Sequence, residues 1–321
     1  MKCFLWLQKV SECSLKKMSG HGSFRWQTPG IPTLGGRQFW SDILISAGSR
    51  VQRNFWTGHH RTLDAANRRH GFGSRETCLE AIGRASSPGA ALDDGVVDRH
   101  AGRRETLIVF LHGLFRSRAS LGLLERRLAL QGWSTLAIEY PSAVGSIFDH
   151  ARQVNDVLNQ TRGYSRVIFV GHSLGGLVAR AALVDPVDWR SRMTVVGLIQ
   201  LGTPNRGAQL ARWLCRSAVL RKLLTAPVRE LTAKIDVPEP ALEVPVTVIA
   251  GGRSGGGYNP WLDGNNDGVV RVEETVMARA HSHHVVPAIH TLLMNHPRTT
   301  GLVARTVRAW SSAPCPRTTS R

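Results

Sequence analysis

The sequence predicts an α/β fold: a mostly parallel sheet with helices on both faces. Two observations carry this. Short apolar runs rich in β-branched residues recur at 106–111, 134–139, 166–170, 194–199 and 244–249, and they are nearly continuous rather than alternating. Strands of that texture are covered on both faces. The segments between them are long enough for crossover helices, and strands alternating with helices build a parallel sheet.

The elements follow in order. Residues 1–35 are rich in Gly, Ser and basic residues without sustained periodicity, and read as a disordered extension. Residues 36–104 read as an appendage. Within it, 39–45 (FWSDILI) is expected to be a helix with an apolar face. The runs 50–55 and 60–63 flank Thr57-Gly58 as a hairpin would, and 86–104 reads as a linker. The α/β domain spans 105–312 and a tail occupies 313–321. Inside the domain, residues 121–130 place Leu at 121, 123, 124, 128 and 130 with Glu125, Arg126 and Arg127 between them, a helical pattern. The interval from Gly202 to Val244 is wider than the others and holds two amphipathic segments, 208–214 and 219–224. They are expected to form a helical cap at about 207–243, with ordinary packing helices as the alternative. No repeat of solenoid or propeller period is present.

Composition narrows the function classes. Lys and Arg number 41 against 23 Asp and Glu, a formal charge of +18. Such a field favours anionic partners, yet the arginines are spread along the chain and no nucleic-acid module accompanies them. Arg-rich coding bias is the simpler account, nucleic acid is not expected as a partner, and peripheral contact with an anionic membrane stays open. Five cysteines (Cys3, Cys13, Cys78, Cys215 and Cys315), odd in number and without CxxC spacing, argue against a disulfide framework or a zinc site. The apolar run at 3–7 is too short for a signal segment and no membrane span is visible, so a cytoplasmic location is expected.

The chemistry gathers at Gly171-His172-Ser173-Leu174-Gly175. A serine between a buried strand and a helix sits on a strained turn, and residues two positions either side must be nearly side-chain-free. Gly171 and Gly175 meet that demand, which makes Ser173 the candidate nucleophile. The N–H of Leu174 lies at a helix start, where developing negative charge is favoured. A second donor is expected from a backbone N–H of the His112-Gly113-Leu114 strand end. The candidate acid is Asp267 in Asn265-Asn266-Asp267-Gly268, with Asp263 as competitor. A base downstream of it comes from His281, His283, His284, His290 or His296. His290, in a loop beyond the last strand, is preferred and His296 is second.

Five motifs in order resemble the lipase branch of the α/β-hydrolases over about residues 105–311. They are Leu-His-Gly-Leu at 111–114, Gly-His-Ser-Leu-Gly-Gly at 171–176, Leu-Gly-Thr-Pro-Asn-Arg-Gly at 201–207, Asn-Asp-Gly-Val-Val at 266–270 and Val-Pro-x-x-His-Thr at 286–291. The resemblance implies an α/β-hydrolase fold and a triad of Ser173, Asp267 and His290, with the N–H groups of Leu114 and Leu174 as oxyanion hole. It also implies cleavage of a small-molecule or lipid carboxylic ester through an acyl-enzyme, without metal or organic cofactor. Two alternatives stand beside it: an acyltransferase using the same acyl-enzyme, and a non-catalytic basic protein on a hydrolase scaffold.

Overall fold

The N-terminal part of the molecule is a four-stranded antiparallel sheet of β1 (Trp40–Ser46), β2 (Ser49–Asn54), β3 (His60–Leu63) and β4 (Arg69–Gly73), in sequence order. The structure is a computed structural model that describes residues 39–46, 48–85, 105–184, 187–216, 226–232, 237–241, 243–253 and 256–312. The extension at 1–35, the linker at 86–104, the helix expected over 219–224 and the tail at 313–321 lie outside the described residues. Helix α1 (Arg75–Ala85) follows β4 and buries Cys78 and Ile82 against Val51 of β2.

One expectation is corrected here. Residues 39–45 were expected to be helical, but β1 is a strand, paired with β2 from Trp40↔Asn54 to Ser46↔Ser49 with an irregularity between Asp42 and Leu44. A seven-residue apolar run fits either period. Here the pairing decides: the strand lets Asp42 reach Arg50 and Gln52 on β2.

The central sheet consists of β5 (Thr106–Leu111), β6 (Ser134–Ile138), β7 (Arg166–His172), β8 (Thr194–Leu201), β9 (Val246–Gly251) and β10 (Ser282–Val286). Its order is β10-β9-β8-β7-β5-β6, and every neighbouring pair is parallel. Strand side chains alternate between faces, and β5 shows why its run had to be continuous. Leu107, Val109 and Leu111 enter one core with residues of α3 (Ile147–Gln160) and α4 (Leu174–Ala182). Ile108 and Phe110 enter the other with α2 (Gly122–Ala129) and the C-terminal helix. Each such large side chain, once buried, contributes about 1.5–3 kcal/mol.

After β8 come α5 (Gln209–Leu214) and α6 (Ala226–Glu230), then α7 (Val272–Thr275) after β9 and α8 (Pro297–Ser312) after β10. Of the segment expected as a cap, Ala208, Ala211, Val228, Leu231 and Val237 are buried in the core that contains Val178 and Ala181 of α4. Arg180 of α4 donates to the carbonyls of Val237 and Pro238 and to Oδ1 of Asn205. Burial holds its pKa down to about 10, against the opposing pull of the Glu239 charge. The sheet delivers the ends of β5, β7, β9 and β10 to one edge, the carboxyl edge at which open α/β sheets carry their sites.

Candidate active site

Ser173 follows the last residue of β7 and precedes the first of α4. Its φ is 53° and ψ −120°, a left-handed conformation that non-glycine residues seldom adopt. The glycines around it are required by contact. A Cβ at Gly171 would stand 2.5 Å from the Gly175 oxygen, and one at Gly175 would collide with the Leu111 carbonyl. Leu174 opens the helix, so its N–H has no intrahelical acceptor. Gly113 packs against the same turn: a Cβ there would lie 3.1 Å from Cβ of Ser173. The next residue, Leu114, is half-buried.

Asp267 and His290 meet. Nδ1 of His290 lies 2.6 Å from Oδ2 of Asp267, and the His290 N–H donates to the Asp267 carbonyl at 2.8 Å. Both side chains are buried. Oδ1 of Asp267 accepts from the N–H groups of Val269 and Val270 at 3.0 and 2.7 Å. This pair adjoins the serine turn through the end of β8. The Ser173 N–H donates to the Leu201 carbonyl at 2.8 Å. A Cβ on the next residue, Gly202, would be 3.2 Å from Nδ1 of His290 and 3.3 Å from Oδ2 of Asp267.

The competitors go elsewhere. Asp263 is exposed and accepts from Gln209. His296 accepts from the Arg298 N–H, His283 meets Thr275, and His281 accepts from the Val246 N–H. His284 is half-buried on β10. His112 precedes Gly113, stacked on Tyr140 with ring centroids 4.1 Å apart.

Sequence reading passed over His172. Its Nε2 lies 3.0 Å from the His290 carbonyl oxygen and its ring is 4.8 Å from the His290 ring. Burial, then the neighbouring His290, pushes its pKa well below the usual histidine value, so the ring is neutral and donates from Nε2. It ties the strand that leads to Ser173 to the main chain of His290. The position next to Ser173 was the only available signal, since the tie spans 118 residues. The Arg116 guanidinium adds a second link, donating to the Thr291 carbonyl at 2.9 Å. Among the described residues no group of three or more His, Cys, Asp or Glu is placed to hold a metal ion, and no helix is long and apolar enough to cross a membrane.

A turn of this geometry on a doubly covered parallel sheet defines a class, and the sequence profile agrees with it. Residues 108–317 match the alpha/beta hydrolase family, to which this chain belongs. Among solved structures it is similar to the lipase BlEst2 of Bacillus licheniformis. The mature form is 20% identical, with a TM-score of 0.50 over 65% of this chain and 93% of that one. The propeptide form is 19% identical, with a TM-score of 0.53 over 71% and 54%. A thermophilic esterase from Thermogutta terrifontis is 18% identical, with a TM-score of 0.44 over 64% and 91%. Likeness at these identities is likeness of fold. No curated protein matches the sequence.

Proposed function

We propose that the protein hydrolyses a carboxylic ester through an acyl-enzyme on Ser173. The observation that carries this reading is the left-handed serine at the strand–helix turn, together with an imidazole whose Nδ1 is held by a buried carboxylate and whose ring packs on that of His172, the residue before the serine. An ionised carboxylate only accepts hydrogen bonds. The Nδ1 of His290 therefore carries the proton, and Nε2 keeps the lone pair that a general base needs.

As Oγ of Ser173 attacks the ester carbonyl carbon, His290 takes its proton and Asp267 stabilises the imidazolium. The N–H groups of Leu114 and Leu174 stabilise the oxyanion, each donor supplying about 3–4 kcal/mol. The imidazolium then protonates the departing alkoxide, and water repeats the sequence on the acyl-enzyme. Base assistance of this kind accelerates reactions about 10²–10⁴-fold. Exposed Phe115, Ile289 and Leu292, adjacent in the chain to the oxyanion loop and to His290, support an apolar acyl group. The charge of +18 supports peripheral contact with an anionic lipid surface as part of this reading.

A fluorophosphonate probe tests the nucleophile, and p-nitrophenyl esters of increasing chain length test the substrate. The probe is expected to label the wild type and neither Ser173→Ala nor His290→Ala. Labelling that persists in Ser173→Ala overturns the assignment, and a labelled enzyme that turns over none of the esters overturns the reaction.

A further inference from the structure

We propose that the N-terminal sheet positions the oxyanion loop, with Asp42 acting through Glu139, Tyr140 and the His112 ring on the Gly113–Leu114 peptide. The proposal rests on the ester-hydrolysis reading. Its chain of contacts starts at β1. Oδ2 of Asp42 accepts from the Glu139 N–H at 2.7 Å, and the Asp42 N–H donates to the Glu139 carbonyl at 2.9 Å. The main chain just past β6 is thereby clamped from the neighbouring sheet. Gln153 reinforces the clamp, its Nε2 reaching the carbonyls of both residues.

The Asp42 carboxylate is fully buried and held by Arg50 at 2.6 Å and Gln52 at 2.8 Å. A buried ion pair is an unfavourable way to join two sheets if stability is the sole requirement, because desolvation can exceed the Coulombic gain. What it supplies is a fixed position.

The next residue carries that position to the loop. The Tyr140 ring stacks on His112 at an interplanar angle of 10°, its hydroxyl donates to the His112 carbonyl, and its N–H lies 3.4 Å from Nε2 of His112. Oε1 of Glu139, buried and without a hydrogen-bond partner, lies 3.4 Å from the same nitrogen. Nε2 accepts from the Tyr140 N–H, so the proton of His112 belongs on Nδ1, which faces the Gly113 carbonyl oxygen 3.1 Å away. The Arg116 N–H donates to that oxygen as well. A trans peptide is planar, so fixing the Gly113 carbonyl fixes the Leu114 N–H on the opposite side. Gly113 is the residue in contact with Ser173. His112 is a positioning residue here, and Asp42 holds it from a segment that lies before the family match.

The test is steady-state kinetics of the full chain on p-nitrophenyl butyrate, with kcat expressed per Ser173 labelled by the fluorophosphonate. A boronic acid, which forms an anionic tetrahedral adduct with the serine, reads the oxyanion site directly. Asp42→Ala is expected to lower kcat per labelled site about tenfold or more, part of the 10²–10³-fold carried by one oxyanion donor. KM should stay within about twofold, and boronate affinity should weaken by the same factor as kcat. Glu139→Gln, which keeps both main-chain bonds to Asp42 and turns an amide toward Nε2 of His112, is expected to change kcat per labelled site and boronate affinity by the same factor. Arg68→Ala, an exposed residue in the turn between β3 and β4 that pairs with Asp64, should change neither. Fewer labelled sites with kcat per site and boronate affinity unchanged would overturn the proposal and leave the sheet a scaffold. If Asp42→Ala does not fold, Glu139→Gln decides on the same two readouts. A wild type that takes no label at Ser173 overturns the ester-hydrolysis reading itself, a result distinct from either.

Discussion

The carboxylate of Asp267 divides its two oxygens between two tasks: Oδ2 stands 2.6 Å from Nδ1 of His290, while Oδ1 accepts the N–H groups of Val269 and Val270. The loop that presents Asp267 is thus folded around its carboxylate by its own acceptor. Asp267→Asn should preserve the Oδ1 contacts and turn an amide NH₂ toward His290. The imidazole would then keep its proton on Nε2, the wrong nitrogen for a base. The expected outcome is a loss of about 10⁴ in kcat with a near-native unfolding transition, measured by ester hydrolysis and circular dichroism on one preparation.

Backbone strain at Ser173 gives a stability prediction that opposes function. A residue other than glycine at φ 53° costs about 1–3 kcal/mol. Ser173→Gly should therefore unfold at higher denaturant than Ser173→Ala, by roughly 1 kcal/mol or more, with both variants silent to the probe. Equal midpoints would mean that the turn is unstrained.

Gly176 shows the reverse constraint. A Cβ there would collide with Oγ1 of Thr203, an oxygen that is buried with no hydrogen-bond partner. Gly176→Ala should destabilise the protein by about 1–3 kcal/mol through overpacking. Adding Thr203→Ala should recover part of that loss, because it removes the colliding oxygen and breaks no hydrogen bond. Urea midpoints of the two single variants and the double variant measure the coupling.

His150 makes stability depend on pH. Its ring is buried against Tyr140, Nε2 has no partner, and burial lowers its pKa from 6.5 to about 4. The unfolded chain binds the proton first on acidification, so stability is full above pH 6.5 and falls as pH drops toward 4. By pH 5 the loss from this group is about 2 kcal/mol. His150→Leu should lose correspondingly less between pH 7.5 and 5 in urea titrations. The neutral, buried His172 acts in the same direction and leaves a residual slope.

The strands between residues 105 and 250 were legible because each is buried on both faces, which writes an unbroken apolar run into the chain. Ser173 was legible because its turn demands glycines at fixed offsets. Asp267 and His290 could be nominated from their order and from turn chemistry, while their 2.6 Å contact was not in the sequence. The strand at Trp40–Ser46 was misread because seven residues cannot separate a period of 2 from one of 3.6. The clamp between Asp42 and Glu139 was invisible for a different reason. Its partners are 97 positions apart, and neither residue type nor spacing announces a bond made to a main-chain N–H.

That clamp also bears on where the protein can be cut. The family match begins at residue 108, so a fragment trimmed to it would keep every proposed catalytic group and discard β1 and β2. The Ala137 carbonyl and the Glu139 N–H would lose their partners, and the Glu139 carbonyl its bond to Asp42, along the outer side of β6, the terminal strand of the central sheet. An uncovered strand edge recruits other chains. Insoluble material from such a fragment would reflect that opened edge, and the remedy is to restore residues 39–85.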